Sequence, residues 1–336
     1  MSPFPSVSTP IGIITTINIT PTYWHLPSLL SHTDTWLDNM RLRKKHASDK
    51  SPWWSFVFRI KKEKKTTCEH FINGAYLFSP LQQFKHGSEL LTIWDYGDRL
   101  VLTLLLGIIK PVFKHIISPL CLHLQGPSGV KKTITRVRDA LKNMPYRYSL
   151  RLDVKGYYAS IDHAILLQQL EKSFADKRLL NYFNAIVTAC IDDGGNLISP
   201  KKGIPRRSSL SPFFGALYLD PLDRAFENRK GVFYVRYMDD IIILTNSKRQ
   251  YVQAKKSMYA ILKTLKLTLS PSKTAMGLLS KGFHFLGVQF SASQNADNKS
   301  SVEATGIHLA FFRKRVICLF SRRLEHRNAT YTLVCE

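Results

Sequence analysis

The chain has 336 residues, 44% hydrophobic and 11% aromatic, enough for well-buried cores in two or three domains, which excludes a disordered chain as the default. Its 48 Lys plus Arg against 24 Asp plus Glu give a formal net charge of +24, a field that favours a polyanionic partner, nucleic acid foremost. Five cysteines, at 68, 121, 190, 318 and 335, form no Cys-x-x-Cys pair, which argues against a disulfide framework or zinc site and for a reducing, cytoplasmic compartment.

In chain order, residues 1–40 are rich in Pro, Ser and Thr, lack a secretion signal, and read as a loosely ordered leader. Basic runs "RLRKKH" and "KKEKK" then bracket "SPWWSFVF". The most apolar window, "LVLTLLLGIIKPVFKHIISPL", is interrupted by Lys110, Pro111 and Lys114 before the roughly 20 residues a membrane span needs. It predicts a helix between Trp94 and Ile117. A loop at Gly126–Gly129 precedes a basic helix, "KKTITRVRDALKN". "YRYSLRLDV" alternates Tyr148, Leu150 and Leu152, the period of a strand with one buried face, and delivers Asp153 at its end. A helix follows with Asp162 as its N-cap, then another over 178–190, then a hairpin turn at "DDGGN". "KKGIPRRSSLSPFFGALYLDPLDRAFENR" reads as a loop and one long helix. "GVFYVRYMDDIIILTN" reads as two short strands with Asp239 and Asp240 at the bend.

That acidic pair is the feature that asks for chemistry. Adjacent carboxylates raise each other's pKa, and burial adds a further penalty, so a pair flanked by Val235 and by Ile241 to Leu244 needs a neutralising group. Divalent Mg²⁺ takes oxygen ligands, typically one or two protein carboxylates together with substrate phosphates. A third carboxylate from another strand would allow a two-ion site, and Asp153 is the best placed. The plain alternative is an exposed Asp-Asp turn, for which Tyr237 and Met238 are poor neighbours.

Taken together, "YMDD" between apolar strands, the upstream "DVKGYYASID" and "GIPRRSSLSP", and the downstream "LTLSPSKTAMG" and "FHFLGVQF" resemble the ordered blocks of reverse transcriptases, in particular bacterial group II intron-like ones. "GAYLFSPL", "WDYGDRLVL" and "CLHLQGPSGVKKTITRVRDAL" are similar to the fingers blocks of that group. The likeness runs from about Ser51 to Phe290.

The resemblance implies an α+β right-hand polymerase fold with an antiparallel-sheet palm, helical fingers and a short basic helical thumb. On that plan 41–147 form an N-terminal extension and fingers, and 148–165 the first part of the palm. Fingers and palm helices take 166–230, the active-site hairpin and primer grip 231–290, and a partial thumb 291–336. It further implies Asp153, Asp239 and Asp240 as catalytic metal ligands for two Mg²⁺ (or Mn²⁺) ions, with the Val154 carbonyl assisting. Tyr158 would lie under the sugar and select deoxynucleotides, which disfavours an RNA-templated RNA polymerase. Lys273 would serve as general acid at the leaving pyrophosphate. Lys131, Arg136, Pro205 and Arg206 would contact the incoming nucleotide, with Lys132 and Arg138 in the same basic stretch. Phe285, Leu286 and Gly287 would form the primer grip. The implied partners are an RNA template, a DNA or RNA primer, deoxynucleoside triphosphates and a structured or intron RNA, with no membrane. One departure stands out: Pro205-Arg206-Arg207 replaces the Pro-Gln-Gly of many family members, which leaves room for a maturase-like RNA-binding protein with little catalysis. Intron splicing, retroelement copying and phage defence are all compatible with these residues.

Overall fold

The structure, a computed structural model, describes residue 17 and residues 24–48, 51–86, 89–124, 126, 128–294 and 300–307. At its centre is a four-stranded antiparallel sheet of β3 (Tyr148–Asp153), β6 (Val232–Tyr237), β7 (Asp240–Thr245) and β8 (Ala275–Leu278), in the order β6-β7-β3-β8. Its two faces are covered differently. Leu150, Leu152, Ile241 and Ile243 point into the larger core, backed by α10 (Asp220–Phe226) and α11 (Lys248–Thr264). Val235, Ile242 and Leu244 point the other way, against α5 (Gly129–Asn143) and the hairpin β9 (Phe283–Phe285) and β10 (Val288–Gln294). Burial on both sides explains the uninterrupted "IIIL" run of β7.

The two covering helices fold for the same reason. α5 buries Thr133, Val137 and Leu141, and α11 buries Ala254, Met258 and Leu262, each set at i, i+4, i+8 with charged residues around the rest of the helix. Ser247 caps α11 by accepting the Gln250 N–H.

The N-terminal part packs α1 (Leu26–Arg43), α2 (Pro52–Ile72) and α3 (Tyr96–Ile109) around Trp36, Trp53, Phe56 and Tyr96. The most apolar window of the sequence is therefore an internal helix, α3, buried at Leu100 to Leu102, Leu104, Leu105, Ile108 and Ile109. No described helix is long and apolar enough to cross a membrane. At Pro111 the helix tightens into a 3₁₀ turn, Lys110–Val112, before the short α4 (Phe113–Ile116).

Several expectations change. The leader expected to be loosely ordered to residue 40 contains α1, anchored by buried Leu29, Thr33 and Leu37. The region expected to be helical fingers also holds a sheet, β2-β1-β4-β5, built from β1 (Leu81–His86), β2 (Glu89–Ile93), β4 (Ile191–Asp193) and β5 (Asn196–Ile198). The β4–β5 pair is the hairpin expected at "DDGGN". α5, expected in the fingers, packs on the central sheet instead. The single long helix expected before Phe226 is two, α9 (Ser211–Tyr218) and α10, because Pro221 starts a new helix where it cannot continue the old one. The thumb boundary at 291 falls inside β10, which pairs onward with β11 (Ser300–Ile307). The basic stretch "FFRKRVICLFSRRLEHR" expected as a thumb helix lies outside the described residues.

Asp98, buried in the first turn of α3, accepts the Tyr76 hydroxyl at 2.9 Å and the Ser79 N–H at 3.2 Å. Burial lifts its carboxyl from the usual 3.8 to about 6 against those hydrogen bonds. The folded state thus holds this proton more tightly than the unfolded chain. Stability conferred by the protonated form is lost as pH rises from 3.8 through about 6. Across that window the wild type is expected to lose stability relative to Asp98→Asn at about 1.4 kcal/mol per pH unit, measured by chemical denaturation of both proteins. A pH-independent difference would contradict the assignment.

Candidate active site

The register of the central sheet sets the site. β3 and β7 pair so that Asp153 lies directly opposite Asp240. Cross-strand partners project to the same side with Cβ atoms roughly 5 Å apart, so the two carboxylates share the face of Arg151 and Ile242. Both are buried, at 3% and 5% exposure. Asp239 stands in the two-residue loop of the β6–β7 hairpin, which the Tyr237–Asp240 pair closes. In that loop Met238 has φ +56°, a region costly for a side chain of its size.

Both backbone polar atoms of Met238 are held. Its N–H donates to His123 Nδ1 at 3.2 Å, and its carbonyl accepts from Arg236 at 3.1 Å. Arg236 is fully buried beneath the sheet, where it forms a two-pronged pair with Asp223 of α10 and donates to the Ala216 carbonyl. The Tyr234 hydroxyl donates to the same Asp223 at 2.6 Å. Burial works against the Arg236 charge, but Asp223, with Cys121 and Tyr234 beside it, holds its pKa well above the ordinary value. His123 arrives on a segment bridged to the outer side of β6: Arg236 N–H donates to the Leu120 carbonyl, and Leu122 N–H to the Arg236 carbonyl, each at 3.0 Å. Gly129 closes this contact, since a Cβ there would lie 2.7 Å from the Leu122 oxygen.

Beyond the pair, the chain after β3 meets residues 268–270. The Asp153 carbonyl accepts the Ser270 N–H at 2.8 Å, Lys155 N–H donates to Thr268, and Val154 bridges Leu269. A turn at Ser270 brings Lys273 back, with Nζ 3.6 Å from Asp153 Oδ2. The resemblance implies a place for this lysine at the leaving group; here its ammonium lies against the Asp153 carboxylate.

Tyr158 sits in the short helix α6 (Tyr157–Ser160); burial foremost, and then the Asp239 charge, raise its phenol above the ordinary range, against the nearby Arg236 and Arg206. Gly215 of α9 seats against it: a Cβ there would meet the Tyr157 and Tyr158 rings at 3.2 and 3.3 Å. The Tyr158 carbonyl accepts the Ile204 N–H at 2.9 Å, which fixes the "GIPRR" loop beside it. Pro205 is buried and its carbonyl accepts the Ser211 hydroxyl, whereas Arg206 and Arg207 are exposed. They line a cavity of about 380 Å³ with Ala159, Ile204, Pro205 and, from the N-terminal sheet, Leu81 and Thr92.

Other expected residues are arranged less tightly. α5 begins beside Tyr237, which places Lys131 and Lys132 in its first turn near the hairpin end; Arg136, a turn further on, donates to the Pro119 carbonyl at 3.3 Å, and Arg138 follows. Phe285 is buried in the smaller core, and Leu286 and Gly287 make the β9–β10 turn at φ +49° and +79°. Asp162 is the N-cap of α7 (His163–Ser173), accepting the Ile165 N–H, and pairs with Lys266. Sequence reasoning missed His123, Asp223 and Arg236. For Arg236 the signal was a charge in mid-strand, which burial obliges to find a partner; His123 carries no comparable signal.

Among the described residues no group of three His, Cys, Asp or Glu side chains is placed to hold a metal ion, so the expected three-carboxylate cluster is not assembled by the protein alone. The donor set still suits a hard cation. Mg²⁺ commonly takes only one or two protein carboxylates and fills its shell with water and substrate phosphate, and Asp153 already has a cation, the Lys273 ammonium, beside it.

The profile of the reverse transcriptase (RNA-dependent DNA polymerase) family matches residues 90–290, more than half of the chain and the whole of the sheet that carries the acidic pair. The chain belongs to the reverse transcriptase family. Protein YkfC of Escherichia coli K12 is 21% identical over 227 residues, 56% of this chain and 60% of that protein. A putative COX1/OXI3 intron 1 protein of Saccharomyces cerevisiae is 20% identical over 260 residues, 60% of this chain and 31% of that protein. The chain thus spans less than two thirds of the length of these relatives. Such likeness agrees with the group II intron-like resemblance, and the reverse transcriptase domain brings with it the α+β polymerase palm.

Removing one partner of the buried Arg236–Asp223 pair, by Arg236→Met or Asp223→Asn, is expected to cost about 3–5 kcal/mol, read as a lower denaturation midpoint at unchanged slope. A loss below about 1 kcal/mol, the range of surface pairs, would show that the pair does not support the hairpin.

Proposed function

We propose that this reverse transcriptase domain is an active RNA-directed DNA polymerase, extending a DNA or RNA primer with deoxynucleoside triphosphates on an RNA template. The observation that carries this reading is the direct pairing of Asp153 with Asp240 at the end of a sheet whose hairpin presents Asp239. Asp153 and Asp239 would hold Mg²⁺ or Mn²⁺, with Asp240 as the third carboxylate and the Val154 carbonyl at hand. Such ions, when bound, activate the attacking 3′-oxygen and stabilise charge on the leaving phosphate. Lys273 neutralises Asp153 until substrate arrives and can then turn its proton toward the pyrophosphate. Tyr158, wedged against Gly215, offers an unyielding ring beneath the sugar. Arg206 and Lys131 contribute positive charge to the triphosphate and template phosphates, with Pro205 shaping the cavity floor. The β9–β10 turn at Leu286 and Gly287 is the proposed primer grip. On this reading the N-terminal sheet and helices act as fingers.

Purified protein and its Asp239→Asn variant, compared in primer extension on an RNA template with Mg²⁺, test the proposal; the variant is expected to lose about 10³-fold or more in rate, since charge stabilisation is the largest catalytic contribution. Equal rates would remove the metal-site assignment. Tyr158→Ala is expected to raise incorporation of ribonucleotides relative to deoxynucleotides by tenfold or more, by the usual size of single-contact steric discrimination. An unchanged ratio would remove the ring from sugar selection.

A second reading, a maturase-like RNA-binding protein with little catalysis, is favoured by the exposed Arg206-Arg207 pair and by the intron product among the relatives. It predicts salt-sensitive binding to a structured RNA in a chain that extends no primer.

A further inference from the structure

We infer that His123 is a positioning residue for the acidic hairpin: its imidazole fixes the Met238 peptide and through it the direction in which Asp239 faces. The inference rests on the polymerase reading for its catalytic consequence, and on geometry alone for the rest. Met238 is in the left-handed region, so the loop needs an external restraint to prefer this conformation over its neighbours. Two are present. Arg236 takes the Met238 carbonyl and belongs to a rigid buried pair. His123 takes the N–H on the opposite side of the same residue.

The hydrogen bonds leave one tautomer. A carbonyl can only accept, so the contact of Nε2 with the Pro212 oxygen at 3.0 Å places the ring proton on Nε2. Nδ1 is then the acceptor that the Met238 N–H requires. The Cys121 Sγ at 3.3 Å from Nδ1 can share that acceptor as a weak donor, since burial pushes its thiol up to about 12. Burial and the Arg236 charge lower the imidazole to about 3, so the ring stays neutral and keeps its acceptor. Pro212 opens α9, which also carries Gly215 under Tyr158. One ring therefore links the Asp239 loop to the helix that seats the proposed sugar-selecting tyrosine.

Asn and Gln at position 123 separate positioning from mere support, because the Asn carbonyl oxygen stands where Nδ1 does while the Gln amide stands nearer Nε2. The chain and its His123→Asn, His123→Gln and His123→Leu variants would be compared in three ways: thermal unfolding, Mn²⁺ binding by electron paramagnetic resonance, and primer extension at varied Mg²⁺ and deoxynucleotide. The expected result is that Leu and Gln weaken Mn²⁺ binding and raise the half-saturating Mg²⁺ about tenfold. They should lower kcat about a hundredfold and leave the deoxynucleotide KM within twofold, whereas Asn stays within about threefold of wild type in each. Asn and Leu behaving alike, with all variants folded, would overturn the inference, as would losses that follow melting temperature alone. Should the wild type extend no primer, the polymerase reading fails by itself, and the Mn²⁺ arm still decides whether His123 orders the loop.

Discussion

Everything at the proposed centre depends on the register in which β3 lies against β7. A slip of one residue turns every side chain of a strand to the other face, which would carry Asp153 into the helix-backed core and bring Leu152 to the site. The strand β7 cannot set that register, because Ile241 to Leu244 are apolar on both faces and buried on both. The alternation of β3 does: Leu150 and Leu152 belong to the large core, while Arg151 and Asp153 can face only the other way. An ordinary amphipathic strand therefore places Asp153 at the proposed centre.

The same arrangement carries costs that explain the residues around it. Two buried carboxylates face each other across the strands, and the adjoining loop holds Met238 in a disfavoured conformation. Lys273 offsets the first and the Arg236 and His123 contacts restrain the second. The Arg236–Asp223 pair lies on the reverse side of the sheet, away from solvent, where attraction between charges is strong and salt screens it little. Rigidity beneath the hairpin thus supports the acidic face above it.

How much of this was legible beforehand follows from the range of the forces involved. Local periodicity was enough for β3, for α5, α7 and α8 (Lys177–Val187), and for the acidic hairpin, because burial of one face writes itself into a few consecutive residues. The ordered blocks were enough for the family. What stayed hidden was long-range. Nothing near Leu81 or Ile191 announces that they will pair in parallel across more than a hundred residues, so the sheet of the N-terminal part was missed. Nor does "CLHLQG" say that its histidine will reach Met238. The α1 helix was overlooked because Pro, Ser and Thr dominate the composition ahead of it, whereas only three of its own residues are buried.

Crystals of the chain with a primer on an RNA template, a non-hydrolysable deoxynucleoside triphosphate and Mn²⁺, measured at the manganese absorption edge, probe the convergence of the acidic side chains most directly. Anomalous peaks about 2 Å from carboxylate oxygens of both Asp153 and Asp239, with Lys273 withdrawn toward the triphosphate, are the predicted result. A duplex bound elsewhere, or manganese that ignores Asp153 while Lys273 keeps its place against it, would contradict the account.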